Sequence, residues 1–230
     1  MQNIKQRERS YSAGLQAEVP VGYLSNELPI LYCYLGDIVF SKMVRDMDIQ
    51  NPTKELKARF FLDNLCDFLK DYHPFQHSPE VSELAKLELS QNRAFRAPEE
   101  KILKTNQLTN MPTDDVLSLK LKLVASAQTL TFYQNTTSIW AALKCEERPP
   151  KPHLLDSPQQ VLVWRQKGVP RFRLLGEEEA QYLDHCSNLA QSAGYKSKKS
   201  DLDHDQTLKD RLVDYVLGWA TAELLLCRAD

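Results

Sequence analysis

Glycine is scarce in this sequence, 7 among 230 residues. A large sheet joined by many tight turns would need more, so the shortage favours helices. Charge of one sign is lacking too. With 29 Lys and Arg against 31 Asp and Glu the net charge is −2, and no global field draws the chain onto nucleic acid or an anionic membrane. No uninterrupted apolar run approaches the roughly 20 residues that span a bilayer. Met1 to Ser10 is polar and has no apolar signal-peptide core. The five cysteines, Cys33, Cys66, Cys145, Cys186 and Cys227, are odd in number, far apart and never in a CxxC pair. That is the pattern of reduced cytoplasmic thiols rather than of a disulfide framework or a zinc site. Nucleophile, phosphate-loop and metalloprotease motifs are all missing: no GxSxG, GxxxxGK[ST], HExxH or GxGxxG occurs. Nothing assembles a base, a nucleophile and an orienting group, so no catalytic residue, no metal ligand and no cofactor is expected in this chain.

What is present is an ordinary globular mixture, 42% hydrophobic and 26% charged, long enough for two modest domains. The expected class is α+β and mainly helical: a helical domain over residues 1–115, then a winged-helix-like domain over 116–230 with a small antiparallel sheet. Val21 to Met47 predicts two helices, with a bend at Pro29 and a turn at Gly36-Asp37. Phe61, Leu62, Leu65, Phe68, Leu69 and Tyr72 keep helical spacing until His73-Pro74. Ser78-Pro79-Glu80 opens a further helix that Pro98 stops, and Thr113-Asp114-Asp115 caps another. Beyond it, Leu119 to Val124 and Thr129 to Gln134 fit short strands, although the first fits a helix end equally. Thr137 to Lys144 reads as a short helix, the Pro-rich Arg148 to Pro158 as an irregular connector, and polar Ser192 to Lys199 as a loop. The strongest local signal is a β-hairpin over 161–175 turning at Gln166-Lys167-Gly168. Gly176-Glu177-Glu178-Glu179 then opens a helix with its acids in the first turn, and a last helix carries Leu208, Leu212, Tyr215, Val216, Trp219 and Leu226.

Several residues invite a functional reading. His73 and His77 are four apart, but Pro74 between them puts the pair in a loop and weakens a metal reading. His185-Cys186 point different ways from one helix. Asp201 to Asp205 lacks the Gly and terminal Glu of a calcium loop, and a helix cap explains it better. Glu88 falls inside the apolar stripe Leu84, Leu87, Gln91, Ala94 and Phe95, so its carboxylate needs either an arginine partner or a place in a protein interface, with Arg93 beside it. In the hairpin, Arg165, Lys167, Arg171 and Arg173 lie within nine residues with no acid among them. Alternation sets Phe172 and Leu174 on one face, Arg171 and Arg173 on the other. A solvated charged hairpin is the plain reading. The sharper one is a peptide added as a strand, gripped through Val161, Val163, Trp164, Arg165, Arg171, Phe172 and Arg173. A wing on DNA phosphates, in a winged-helix transcriptional regulator, is the alternative, and near-neutral charge counts against it.

Glu83-Leu84-Ala85-Lys86-Leu87-Glu88 followed by Arg93-Ala94-Phe95 resembles the LAxLE…xAF signature of the partner proteins that accompany multinuclear non-haem iron enzymes in ribosomal-peptide modification. Leu28-Pro29-Ile30, Leu35-Gly36 and Phe40 are similar to the upstream segment of that family. Phe68-Leu69 also fits, as does Val161 to Arg165 ahead of Leu175 and Glu179, and the matches run in order over roughly residues 20–185. Within the family the likeness is to the methanobactin-type branch, with the bufferin-type branch close behind. Leu89 stands where an aromatic is usual and Arg96 where His is common, which marks a divergent member. The resemblance implies a heterodimer with a TIM-barrel iron oxygenase and recruitment of a Cys-containing precursor through its leader. The oxygenase, which alone holds the iron, would convert core cysteines to oxazolone and thioamide groups.

Overall fold

The computed structural model describes residues 21–50, 57–119, 121–191 and 206–226. They form an α+β protein, mainly helical, with one small three-stranded antiparallel sheet. Ser192 to Lys199 and Asp201 to Asp205 lie outside the described residues. So do the side chains of His185 and Cys186.

In chain order the first helices are α1 (Val21–Glu27), α2 (Pro29–Gln50) and α3 (Lys57–Asp71). A single 3₁₀ turn follows at His73–Phe75, then α4 (Pro79–Arg96). Short helices α5 (Thr105–Leu108) and α6 (Thr113–Ser118) lead to strand β1 (Gln128–Gln134) and helix α7 (Thr136–Lys144). The hairpin strands are β2 (Leu154–Gln166) and β3 (Val169–Leu175), and helices α8 (Glu177–Gln191) and α9 (Gln206–Thr221) follow.

Contacts group these elements into two compact units. One holds the described residues up to Leu89 together with Gln134–Leu154, the other Ser90–Tyr133 together with those from Leu155 onward. This division differs from a single cut at residue 115. Helix α7 belongs with the first unit because its Ile139 is fully buried in that unit's core.

The first unit packs Leu24, Leu31, Phe40, Met43, Leu65, Leu69, Leu84 and Ile139 into one apolar cluster. Gly36 interrupts α2 at φ 75° and ψ 162°, a backbone region open only to glycine, so the predicted turn there is real. In the second unit Leu162, Trp164, Leu175, Leu183, Val216 and Trp219 form the core. Two expectations change. Leu119 to Val124 forms no strand among the described residues. It contributes a lone bridge, Leu123 to Leu225, with Val124 N–H bonded to the Leu224 carbonyl at 3.0 Å. Leu154 to Pro158 is not connector but the start of β2. Pro158 is tolerated because pairing with β3 begins only at Gln160, so no ladder bond to β3 is lost there.

Candidate functional site

The hairpin turns on two residues. Lys167 and Gly168 take φ of 50° and 77°, the both-positive pattern that matches the twist of antiparallel strands. For Lys167 that conformation is costly, and Glu223 supports it by accepting the Lys167 N–H at 2.8 Å. Pairing runs from Gln166 with Val169 to Gln160 with Leu175. In a two-residue hairpin the pair closing the turn exchanges its hydrogen bonds. Alternate residues of β3 therefore direct their backbone groups inward at Val169, Arg171 and Arg173, and outward at Pro170, Phe172 and Leu174. Arg165 fits this phase, since its N–H donates to Ser126 Oγ (3.4 Å) instead of towards Pro170.

Strand order is β1-β2-β3, so β2 is central and β3 is an edge. Among the described residues no further strand pairs with the outer side of β3. The Leu174 N–H and the Pro170 carbonyl face outward there, while the Leu174 carbonyl accepts Arg173 Nη1 at 3.4 Å. Proline supplies no donor, which blunts the edge next to the turn.

Register also fixes the faces, because directly opposed residues share a side of the sheet. Leu162 opposes Arg173 and Trp164 opposes Arg171, whereas Val161 opposes Leu174 and Val163 opposes Phe172. The predicted alternation is therefore present, but the arginine-bearing side is the one whose Leu162, Trp164 and Leu175 enter the core. A cation on that side must be neutralised or reach past the packed helices.

Arg173 is neutralised. Its guanidinium forks onto Glu179, with Nη1 2.8 Å from Oε2 and Nη2 on Oε1, which also accepts the Trp219 indole N–H at 2.8 Å. Burial alone would raise the Glu179 carboxyl. The hydrogen bonds from Arg173 and Trp219 outweigh it and hold the group below its usual range. Arg165 serves a different purpose: Nη1 donates to the carbonyls of Phe95 (2.9 Å) and Ala97 (2.7 Å), and Nη2 to that of Pro98 (3.1 Å). It closes the C-terminus of α4, where cations suit the helix dipole. Arg171 is exposed and has no ion-pair or hydrogen-bond partner among the described residues.

The other hairpin candidates divide the same way. Val161 and Val163 are fully buried, and Trp164 is buried with its indole N–H on the Ala222 carbonyl at 2.9 Å. Lying on the central strand, none of the three offers an edge to a peptide. Phe172 is half-buried on the edge strand. Leu174, 47% exposed, and Val169, 52% exposed, join it there. Sequence reasoning passed over both as site residues, although for Leu174 its alternation with the arginines was the available signal.

Glu88 needs no arginine and does not face outward. It is 4% exposed, and its two oxygens accept the N–H groups of Ile30 and Leu31, each at 2.8 Å. These are donors at the first turn of α2 that no carbonyl of the helix satisfies. Glu88 is thus a remote N-cap, and its placement in a partner interface is corrected by that burial. Burial pushes its carboxyl up to about 7, against the opposing pull of the two N–H groups and Lys144. Arg93 is exposed on α4.

His73 and His77 sit on the exposed turn before α4, and the His77 ring meets the Gln76 side chain at 3.1 Å. Among the described residues no three His, Cys, Asp or Glu converge on a point that would hold a metal. A shallow polar cleft lies beside Arg165 and Lys167. Its carboxylates Glu100 and Glu223 already accept the backbone N–H groups of Ala125 and Lys167. No described helix is long and apolar enough to cross a membrane. No family model and no curated protein matches the chain.

Proposed function

We propose that this chain is the non-catalytic partner subunit of a multinuclear non-haem iron oxygenase, and that it presents a precursor peptide by binding its leader. The modification would be the one the sequence resemblance implies, conversion of core cysteines to oxazolone and thioamide groups in a copper-chelating, methanobactin-type product. Iron and redox chemistry belong to the oxygenase. The observation that carries the reading is the place of β3 at the edge of the sheet, with no described strand beyond it, an outward N–H at Leu174, exposed apolar side chains at Val169 and Leu174 and one arginine, Arg171, without a described partner. A peptide strand added there gains backbone hydrogen bonds without displacing any part of the sheet. The ordered LAxLE…xAF motif and the hairpin set between helices, in the manner of a winged helix, support the same reading.

DNA binding draws less support, because two of the hairpin arginines are spent inside the protein and phosphate neutralisation dominates DNA affinity. The experiment is reconstitution of precursor, oxygenase and this chain. Leu174→Pro removes an outward N–H while leaving the hairpin ladder intact, and it should abolish leader binding and precursor modification together. Full modification without this chain, or unchanged modification with the variant, would refute the role. DNA binding at physiological salt that Arg171→Ala removes would favour the regulator instead.

A further inference from the structure

We propose that the cleft beside the hairpin turn binds an α-ammonium group whose carbon also bears a carboxylate or carbonyl, as in a free amino acid or the N-terminus of a peptide. The cleft lies within the second unit and has a volume of about 160 Å³, far more than one water needs. Both signs of charge line it, through Glu99, Glu100, Glu223, Arg165 and Lys167, and so does the hydroxyl residue Ser126.

The donors come first. Ser126 is 7% exposed, and its oxygen accepts the Arg165 N–H at 3.4 Å. Its own hydroxyl hydrogen meets no acceptor among the described residues. A buried donor left unmatched is costly unless water or a ligand takes it. Arg165 directs three of the five N–H donors of its guanidinium to the carbonyls of Phe95, Ala97 and Pro98. Nε and one hydrogen of Nη2 are left over on the wall of the same cleft. Together these groups suit an oxygen acceptor on the ligand.

The acceptors are separate groups. Glu100 and Glu223 are each fixed through Oε2, by the N–H of Ala125 and of Lys167. Oε1 of each, and both oxygens of Glu99, have no partner among the described residues. Neither Arg165 nor Lys167 forms an ion pair with any of the three carboxylates. The two signs therefore share one cleft without neutralising each other. A ligand with a cation and an oxygen acceptor on one carbon satisfies both sets at once. A metal ion would leave the donors unmatched, and no three carboxylates converge as its ligands would. The site does not depend on strand addition at β3, so its failure would leave the proposed function standing.

The test titrates the full chain and reads the amide resonances of Ala125, Lys167 and Gly168. The probes are L-alanine, trialanine amide, N-acetyltrialanine amide, and isopropylamine, in which a methyl replaces the carboxylate of alanine. Shifts with L-alanine alone assign the site to free amino acids, shifts with trialanine amide alone to peptide N-termini, and shifts with both to either. Acetylating the tripeptide, or replacing alanine by isopropylamine, should weaken binding about tenfold or more, since each change removes a charge-assisted contact. Ser126→Ala should weaken it about fivefold. Glu99→Gln, at an exposed position, should weaken it about twofold. No shift with any probe, equal binding of the free and acetylated tripeptides, or unchanged affinity in both variants overturns the proposal.

Discussion

Glu88 illustrates what one side chain contributes. Its carboxylate replaces the carbonyls that the start of α2 lacks, and it does so from 57 and 58 residues away in the chain. The sequence made its burial legible, since a carboxylate in an apolar stripe must have partners. Those partners were backbone N–H groups, which no residue-type pattern reveals. Because the folded group titrates near 7 against an ordinary 4.5, the native state binds more protons than the unfolded chain between those values. Stability from this group is therefore full below about 4.5 and falls as pH rises to about 7, by about 3 kcal/mol in all. Glu88→Gln should lose that slope, so the difference between wild-type and variant urea midpoints should shrink as pH rises from 4.5 to 7. A constant difference would mean that the carboxyl titrates normally. Arg173 and Arg165 were legible as cations but not as occupied ones, for the same reason: Glu179 and the α4 carbonyls are tertiary partners. Arg173→Ala strands the largely buried Glu179 and should cost about 2 kcal/mol in chemical denaturation, far more than Arg171→Ala. Equal effects of the two substitutions would contradict the distinction between structural and available arginine.

Elements show a different balance. Helix α4 and the hairpin were readable in advance because their signals are local: Ser78-Pro79 and Pro98 bracket the helix, and Lys167-Gly168 sits between alternating arms. Leu154 to Pro158 was misread because proline argues against strand in general, whereas here the affected positions precede the pairing with β3. The two glycine-dependent turns give a check at this scale. Beyond the adjoining backbone, a Cβ at Gly36 or Gly168 would meet nothing within 4 Å, so any cost of substitution there is conformational rather than a clash with packed neighbours. Gly36→Ala should destabilise by about 1–3 kcal/mol in thermal or chemical unfolding, since alanine is excluded from its φ and ψ. Lys167→Asn should stabilise the hairpin, since asparagine tolerates positive φ better than lysine. Loss of stability in Lys167→Asn would mean that lysine makes a side-chain contribution at the turn beyond its backbone bond to Glu223.

At the scale of the whole molecule, the discontinuous make-up of the two units was not readable. The sequence shows a change from helical to alternating period but not that Ile139, after β1, returns to the first core. Which hairpin arm is the open edge was equally hidden, because it depends on β1 choosing β2. With that order known, the partner-subunit account reduces to one surface, the outer side of β3. Its most direct measurement is residue-resolved amide hydrogen exchange of this chain with and without the precursor's leader. The account predicts that the amide of Leu174 gains protection, while those of Arg171 and Arg173, already turned towards β2, change little. Leader binding that leaves the Leu174 amide unprotected would contradict it.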